Sequence, residues 1–157
     1  NTMDEAIVRY VRRQHQLVIG QASAERIKVE AGTAALQPNG RAAEIRIRGR
    51  DLRQGKPKSV VLGPHDIAGA LDAPIEEIAE FIGRCIQDLS LDVARDIRAR
   101  GISLSGGGAL LDRLDVELER RVGVRFHVPA NPMQCVVKGT ALVLQALDER
   151  EHLLIKP

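Results

Sequence analysis

Apolar residues first recur at helical spacing in Met3, Ala6, Ile7, Tyr10 and Val11, which predicts a helix with one buried face. Thr2-Met-Asp-Glu5 reads as its capping box, with Thr2 accepting from a first-turn N–H and Glu5 reaching back. Arg9, Arg12 and Arg13 fall on the exposed side and last turn, where positive charge suits the helix dipole. After Leu17-Val-Ile-Gly20, the stretch from Ser23 to Gly32 predicts a second helix, with Ser23 as N-cap and Gly32 as the stop. Glu44-Ile-Arg-Ile-Arg48 then alternates charged and apolar residues as a half-exposed strand does. Ser59-Val-Val-Leu62 answers it across a polar loop holding Gly49, Asp51, Gly55 and Pro57, which makes a hairpin with one wet face.

From Gly63-Pro64 the pattern turns helical, with a short turn or helix around Ile67 to Leu71. Asp72 or Ala73 then caps a longer helix entered through Pro74, whose fixed φ suits a first helical position. Ile75, Ile78, Ala79, Ile82, Cys85, Ile86 and Leu89 form one apolar stripe, so this helix is expected in the core with Cys85 as packing. Ser90 caps another helix through Leu91, Val93, Ala94 and Ile97 that ends at Gly101. Ile102 to Leu104 reads as a short buried strand, Gly106 to Gly108 as a loop, and Ala109 to Val122 as an amphipathic helix. Val124-Arg-Phe-His-Val128 follows as a strand parallel to the first. Asn131 then caps a helix from Pro132 to Leu147, whose interior Gly139 requires close backbone packing to offset its cost. Strands and helices in this order predict an α/β fold.

Composition narrows the picture. Of 157 residues 44% are apolar but only 2% aromatic, so the core must be aliphatic and suits one domain or two small lobes. A net charge of +2 is too small to imply a polyanionic partner. The one basic patch is the hairpin, where Arg41, Arg46, Arg48, Arg50, Arg53, Lys56 and Lys58 outnumber Glu44 and Asp51. It has no aromatic residue to stack a base and no nucleic-acid motif, so a solvated or subunit-facing lobe is expected there. Cys85 and Cys135 lack metal-ligand spacing and predict buried thiols in a reducing compartment. No stretch approaches the ~18 apolar residues of a membrane span, and no signal sequence opens the chain, so a cytoplasmic location is expected. The chain opens at Asn1, directly on a helix-start signal, which predicts a fragment of something longer. His15, His65, His127 and His152 lie apart in sequence, and neither a metal constellation nor a nucleophile–base pair is visible.

Two stretches carry candidate chemistry. A strand that turns through Gly106, Gly107 and Gly108 into a helix leaves free backbone N–H groups and a helix-dipole end facing whatever sits above the loop, which suits a nucleotide. The same glycines also serve a tight turn in any α/β domain. Glu25 and Lys28, three apart, share one helix face. They read either as a surface ion pair or as a carboxylate for ribose hydroxyls beside a Lys stem that flanks a base.

Taken together, Met3-Asp-Glu-Ala-Ile7, Ile19-Gly20, Ala24-Glu-Arg-Ile-Lys-Val-Glu30, Gly101-Ile-Ser-Leu-Ser-Gly-Gly-Gly-Ala-Leu-Leu111 and Cys135-Val-Val-Lys-Gly-Thr140 resemble, in order and spacing, the C-terminal half of the bacterial actin-like MreB proteins. The resemblance runs over almost the whole chain. It implies half of an actin-like ATPase fold, with residues 1–14 plus 72–157 as a large α/β subdomain and 15–71 as an inserted small α+β subdomain. It further implies an ATP-binding, filament-forming cytoskeletal protein whose polymers lie on the inner membrane face and organise wall synthesis in rod-shaped cells. Its implied partners are further copies of itself and the cell-wall elongation machinery, with no nucleic acid. By motif, Gly106, Gly107 and Gly108 would approach the nucleotide by backbone, with Ala109 and Leu110 beside base or sugar, while Glu25 and Lys28 close over ribose and adenine. The family commonly continues the Lys138-Gly-Thr140 region with a further Gly and Lys where this chain has Ala141-Leu142, so packing or a longitudinal contact is expected to differ there.

An actin-fold enzyme or Hsp70-like chaperone half, with a nucleotide cleft but no polymerisation, and a basic-hairpin binding module are the alternatives. In the family the phosphate-binding hairpins and the groups that position Mg²⁺ and the attacking water lie upstream of the residue matching Met3. Phosphoryl transfer depends on those parts. The isolated chain is therefore expected to bind ATP weakly and not to hydrolyse it, and a clear Glu25-dependent turnover rate from it would overturn that expectation.

Overall fold

The computed structural model describes residues 2–36 and 44–145. Helix α1 (Thr2–His15) leads through β1 (Leu17–Val18) into α2 (Gln21–Ala31), and the hairpin β2 (Ile45–Asp51) and β3 (Pro57–Leu62) follows. Next come α3 (Pro64–Gln87), α4 (Leu91–Arg100), β4 (Ile102–Ser103), a 3₁₀ turn at Gly107–Leu110, α5 (Leu114–Val122), β5 (Phe126–His127) and α6 (Cys135–Gln145). β1, β2 and β3 make one antiparallel sheet in that order, while β4 and β5 pair in parallel as expected.

The hairpin forms as its alternation predicts. Ile45 and Ile47 point inward and Arg46 and Arg48 outward, with Ile45 opposite Leu62 and Arg48 opposite Ser59. Arg41 lies outside the described residues, as do His152 and the expected end of the last helix at Leu147.

Several expected boundaries move. Thr2 is already helical rather than an N-cap. α2 starts at Gln21, two residues before the expected cap, because the Gly20 carbonyl accepts from Ser23 N–H and Ala24 N–H at 3.1 and 3.2 Å. The break expected at Asp72–Pro74 is absent: α3 runs unbroken with Pro64 at its start and Pro74 in its interior. Ile67, Ala70, Leu71, Pro74, Ile75 and Ala79 form one buried ridge along it, and tertiary burial overrides the local cost of the proline.

The apolar stripe of α3 is buried only over this first part. Beyond Ala79 it opens, so Cys85 is exposed rather than packed, and Cys135 is half-buried with its thiol 3.2 Å from the Pro132 carbonyl. α4 does begin after Ser90, yet none of its residues is buried, and Leu91 is 86% exposed. The last helix starts at Cys135 because residues 131–134 form a turn closed by Gln134 N–H to the Asn131 carbonyl. Gly139 has open space around it, so the close packing expected there is not found.

A single apolar core, aliphatic but for Phe126, joins Ile7 and Val11 of α1, Leu17, Ile27, Ile47, Leu62, Leu71 and Ile75 of α3, Leu118 of α5 and Phe126 of β5. It crosses the sequence positions 14 and 71 at which two lobes were expected to join. Leu71→Ala is expected to destabilise the chain by about 2–5 kcal/mol, whereas Leu91→Ala stays within about 0.5 kcal/mol. Denaturant unfolding of the two variants checks this contrast.

Candidate functional site

The glycine stretch is shaped by two residues that only glycine suits. Gly101, at φ 83°, has no room for a Cβ, which would stand 2.7 Å from the Arg125 carbonyl and from His127 Nε2. Ile102 N–H and Leu104 N–H then donate to the Arg125 and His127 carbonyls at 2.8 Å, which fixes β4 against β5. Gly106, at φ 81°, turns the chain away from the strand, and its N–H donates to the Pro132 carbonyl at 2.8 Å. Gly107 and Gly108 open the 3₁₀ turn, where their N–H groups have no preceding turn to donate to. A Cβ on Gly106, Gly107 or Gly108 would meet nothing within 4 Å, so the backbone faces open space.

The helix expected from Ala109 to Val122 is interrupted. Leu111 leaves the 3₁₀ turn extended, Asp112 pairs with Thr33, and Arg113 adopts a left-handed conformation at φ 59° before α5 begins at Leu114. The positive end of the α5 dipole was expected at the glycine loop, but it lies at Leu114, beyond the break. Thr33 causes the break: its hydroxyl donates to Asp112 Oδ2 at 3.0 Å and Ala34 N–H donates to the Asp112 carbonyl at 2.8 Å, drawing that residue out of helical geometry. Ala109 is buried, so its side chain faces inward, while Leu110 stands 60% exposed beside the glycines.

Glu25 and Lys28 lie on α2, whose C-terminal end adjoins this loop. Gly32 follows the helix, and a Cβ there would come within 2.7 Å of Leu111 Cδ1. Glu25 is exposed. Lys28 does not pair with it. Its ammonium lies 2.7 Å from Asp4 Oδ1 on α1, with both side chains largely buried. The two candidate stretches therefore meet through the segment after α2 and the residues after the 3₁₀ turn. Gly106–Gly108 and the exposed Glu25 side of α2 form an open shelf.

Two grooves lie elsewhere, of about 620 and 510 Å³, both walled by α3 and α5. Neither is lined by Gly106–Leu110, Glu25 or Lys28. Between them runs a clamp centred on Arg121, whose guanidinium reaches Glu117 at 2.7 Å, Asp72 at 2.5 Å and Glu76 at 2.6 Å. Arg120 adds a 2.6 Å contact to the buried Glu117. Among the described residues no group of three or more His, Cys, Asp or Glu side chains is placed to hold a metal ion, and no helix is long and apolar enough to cross a membrane.

A model of the MreB/Mbl protein family matches residues 1–152. The chain belongs to the MreB/Mbl family. It is 39% identical over 145 residues to the cell shape-determining protein MreB of Escherichia coli strain K12, covering 92% of this chain and 41% of that protein. It is 34% identical over 146 residues to the cell shape-determining protein Mbl of Bacillus subtilis, covering 93% of this chain and 43% of the relative. The chain thus spans about two fifths of the length of these relatives. Its fold superposes on MreB5 of Spiroplasma citri bound to AMPPNP with a TM-score of 0.85 and 26% identity, over 97% of this chain and 45% of that one. The MamK double helical filament gives 0.66 at 17% identity, over 84% and 40%, a likeness of fold. The expected actin-like α/β architecture of this MreB/Mbl chain is therefore shown.

Sequence reasoning passed over the acid–base pairs that hold the MreB/Mbl chain's helices together. Glu117 precedes Arg120 and Arg121 by three and four residues, a spacing that signals a shared helix face. The reach to Asp72 and Glu76 has no local signal. A second cluster joins α1 to the start of α3, where Tyr10 Oη and His15 Nε2 both lie 3.2 Å from Asp66 Oδ1 and Gly63 N–H donates to Oδ2 at 3.0 Å. Burial pushes the Asp66 carboxyl up, but the donors from Gly63, His15 and Tyr10 outweigh it and the net shift is down.

Hydrogen bonds from Arg120, and then Arg121, hold Glu117 down from 4.5 to about 2 against its burial. A carboxylate depressed in the folded state stabilises that state above its unfolded pKa and loses the contribution as pH falls toward the folded one. Stability of the MreB/Mbl chain is expected to drop between about pH 4.5 and about 2 as Glu117 protonates. Thermal melts across this range should show a shallower acid-side slope in Glu117→Gln, alongside a lower plateau at neutral pH.

Proposed function

We propose that the chain is the nucleotide-binding C-terminal half of an ATP-binding, filament-forming cell-shape protein that organises wall synthesis from the cytoplasmic side of the membrane. The observation that carries this reading is the unobstructed backbone of Gly106–Gly108 beside the end of α2, in a chain of the MreB/Mbl family. Nucleotide-bound relatives support it: Spiroplasma citri MreB5 has been solved with AMPPNP and with ADP. Self-association draws support from MamK, solved as a double helical filament.

In this reading residues 1–14 plus 72–157 form the large lobe and 15–71 the small one. Gly107 and Gly108 admit phosphate or sugar against the backbone, because any side chain there would occupy the open space. Leu110 offers apolar surface to the base, and Ala109, buried, contributes backbone alone. Glu25 is free to accept from ribose hydroxyls. Lys28, committed to Asp4, would flank the base with its methylene stem. Bound ATP supplies a phosphoanhydride whose hydrolysis requires Mg²⁺, and the metal ligands belong to the length of the relatives that this chain does not span. The elongation machinery and further copies of the protein are the partners.

Sedimentation of the full-length protein with and without Mg-ATP tests the reading, alongside Gly107→Val. Wild type is expected to pellet with ATP, while the variant stays soluble and binds a fluorescent ATP analogue at least ~10-fold more weakly, a change of about 1.4 kcal/mol. If neither pellets while ATP still binds, the filament reading gives way to an actin-fold enzyme or chaperone.

A further inference from the structure

The outer face of the hairpin is a row of like charges. Alternation along β2 places Arg46, Arg48 and Arg50 on one exposed side, and strand geometry spaces them about 6.8 Å apart. Opposite them on β3 stand Val61, Ser59 and Pro57, none of which carries charge. Arg26 approaches the same strand and donates to the Arg46 carbonyl at 3.4 Å. Among the described residues no carboxylate pairs with Arg46, Arg48 or Arg50, although Lys58 and Arg26 each find one. Three neighbouring guanidinium groups of one sign repel each other, so the row is relieved by an anionic surface of matching pitch.

Such a surface exists on α3. Asp72, Glu76 and Glu80 recur every four residues along one ridge, about 6 Å apart, and Glu77 adds a fourth exposed carboxylate. Like charges at this spacing destabilise a helix unless something compensates them. Arg121 compensates Asp72 and Glu76 in part, yet their side chains remain 70% and 54% exposed. Glu80 has no ion pair among the described residues. Glu76 and Glu80 also line the 510 Å³ groove, which is open at Gly83 and bounded by Arg84 one turn further on. Within one copy no ion pair joins the two rows among the described residues, and Glu76 and Glu80 stand about 18 and 24 Å along α3 from its start at Pro64.

We propose that the Arg46–Arg48–Arg50 face is a docking surface for a second copy of this chain, which presents the Glu76–Glu80 ridge of its α3. The two patches differ, so the contact is heterologous and repeats head to tail into an open polymer. This inference rests on the filament reading above and assigns its charge-bearing contact. Matched pitch and opposite sign supply register more than raw affinity.

The test uses the full-length protein with Mg-ATP, following critical concentration by light scattering. Arg48→Glu and Glu80→Arg are each expected to raise it about tenfold, and the double exchange to restore it toward wild type. Wild-type assembly is expected to weaken between low and high salt, as an exposed ionic contact does. Single variants that assemble like wild type, or a double exchange no better than either, would overturn the proposal. A second measurement mixes Arg48→Cys with Glu80→Cys copies, each in a Cys85→Ser and Cys135→Ser background, and treats them with a short bismaleimide. A cross-linked dimer is expected. If wild type does not assemble with Mg-ATP, the filament reading fails, and the cross-link alone then decides whether the pairing stands or falls with it.

Discussion

Burial of one ridge of α3 is the constraint on which the remaining elements depend. Ile67, Leu71 and Ile75 are each at most 1% exposed, and they touch a cluster drawn from both sheets and from α1, α2 and α5. Pro74 interrupts the hydrogen bonding of the same helix, at a cost of about 3 kcal/mol. Three fully buried aliphatic side chains contribute about 1.5–3 kcal/mol each. The burial therefore wins, and α3 stays one rod of 24 residues rather than two helices meeting at a corner. With almost no aromatic residues to fill space, this ridge has few substitutes.

Because α3 is continuous, it fixes where α5 can lie. Leu114 and Leu118 pack into the shared core, and Arg121 closes the other side of the helix pair on Asp72 and Glu76. The largely buried Glu117–Arg121 pair at its centre, both side chains under 10% exposed, gives orientation more than net stability, since desolvation offsets much of the attraction. The Thr33–Asp112 contacts then hold the Leu111–Asp112 segment, which precedes α5, against the residues that follow α2.

Elements with a strong local period were legible in the sequence. The α1 ridge, the presence of the hairpin and the parallel β4–β5 pair all follow from spacing and turn residues, and the motif strings pointed to the family, whereas Gly49, Asp51 and Pro57, expected in the hairpin loop, belong to its paired strands. What escaped was set by contacts distant in sequence. No local rule shows that Thr33 would pull Asp112 out of a helix, or that burial would carry α3 through Pro74. Lys28 and Glu25 read as a pair because they are three apart, whereas Asp4, 24 residues earlier, takes the ammonium. Cys85 was expected to pack because its spacing with the α3 stripe is helical. Spacing identifies a face, but only a partner element buries it.

The Asp4–Lys28 pair also limits what the candidate site can do. An ammonium 2.7 Å from a largely buried carboxylate is already neutralised, so its charge adds little to the binding of a phosphate. In the proposed reading the exposed Glu25 carries the polar recognition instead, while the glycine backbone admits the ligand. A shelf built in this way would contact a nucleotide from one side only. Affinity then depends on a second wall, and a ligand held between two walls stabilises their closed arrangement by the difference in its affinity for the closed and open states. In the proposed reading nucleotide occupancy is thus linked to the closed arrangement of the two walls, which is the physical requirement for a nucleotide to control assembly.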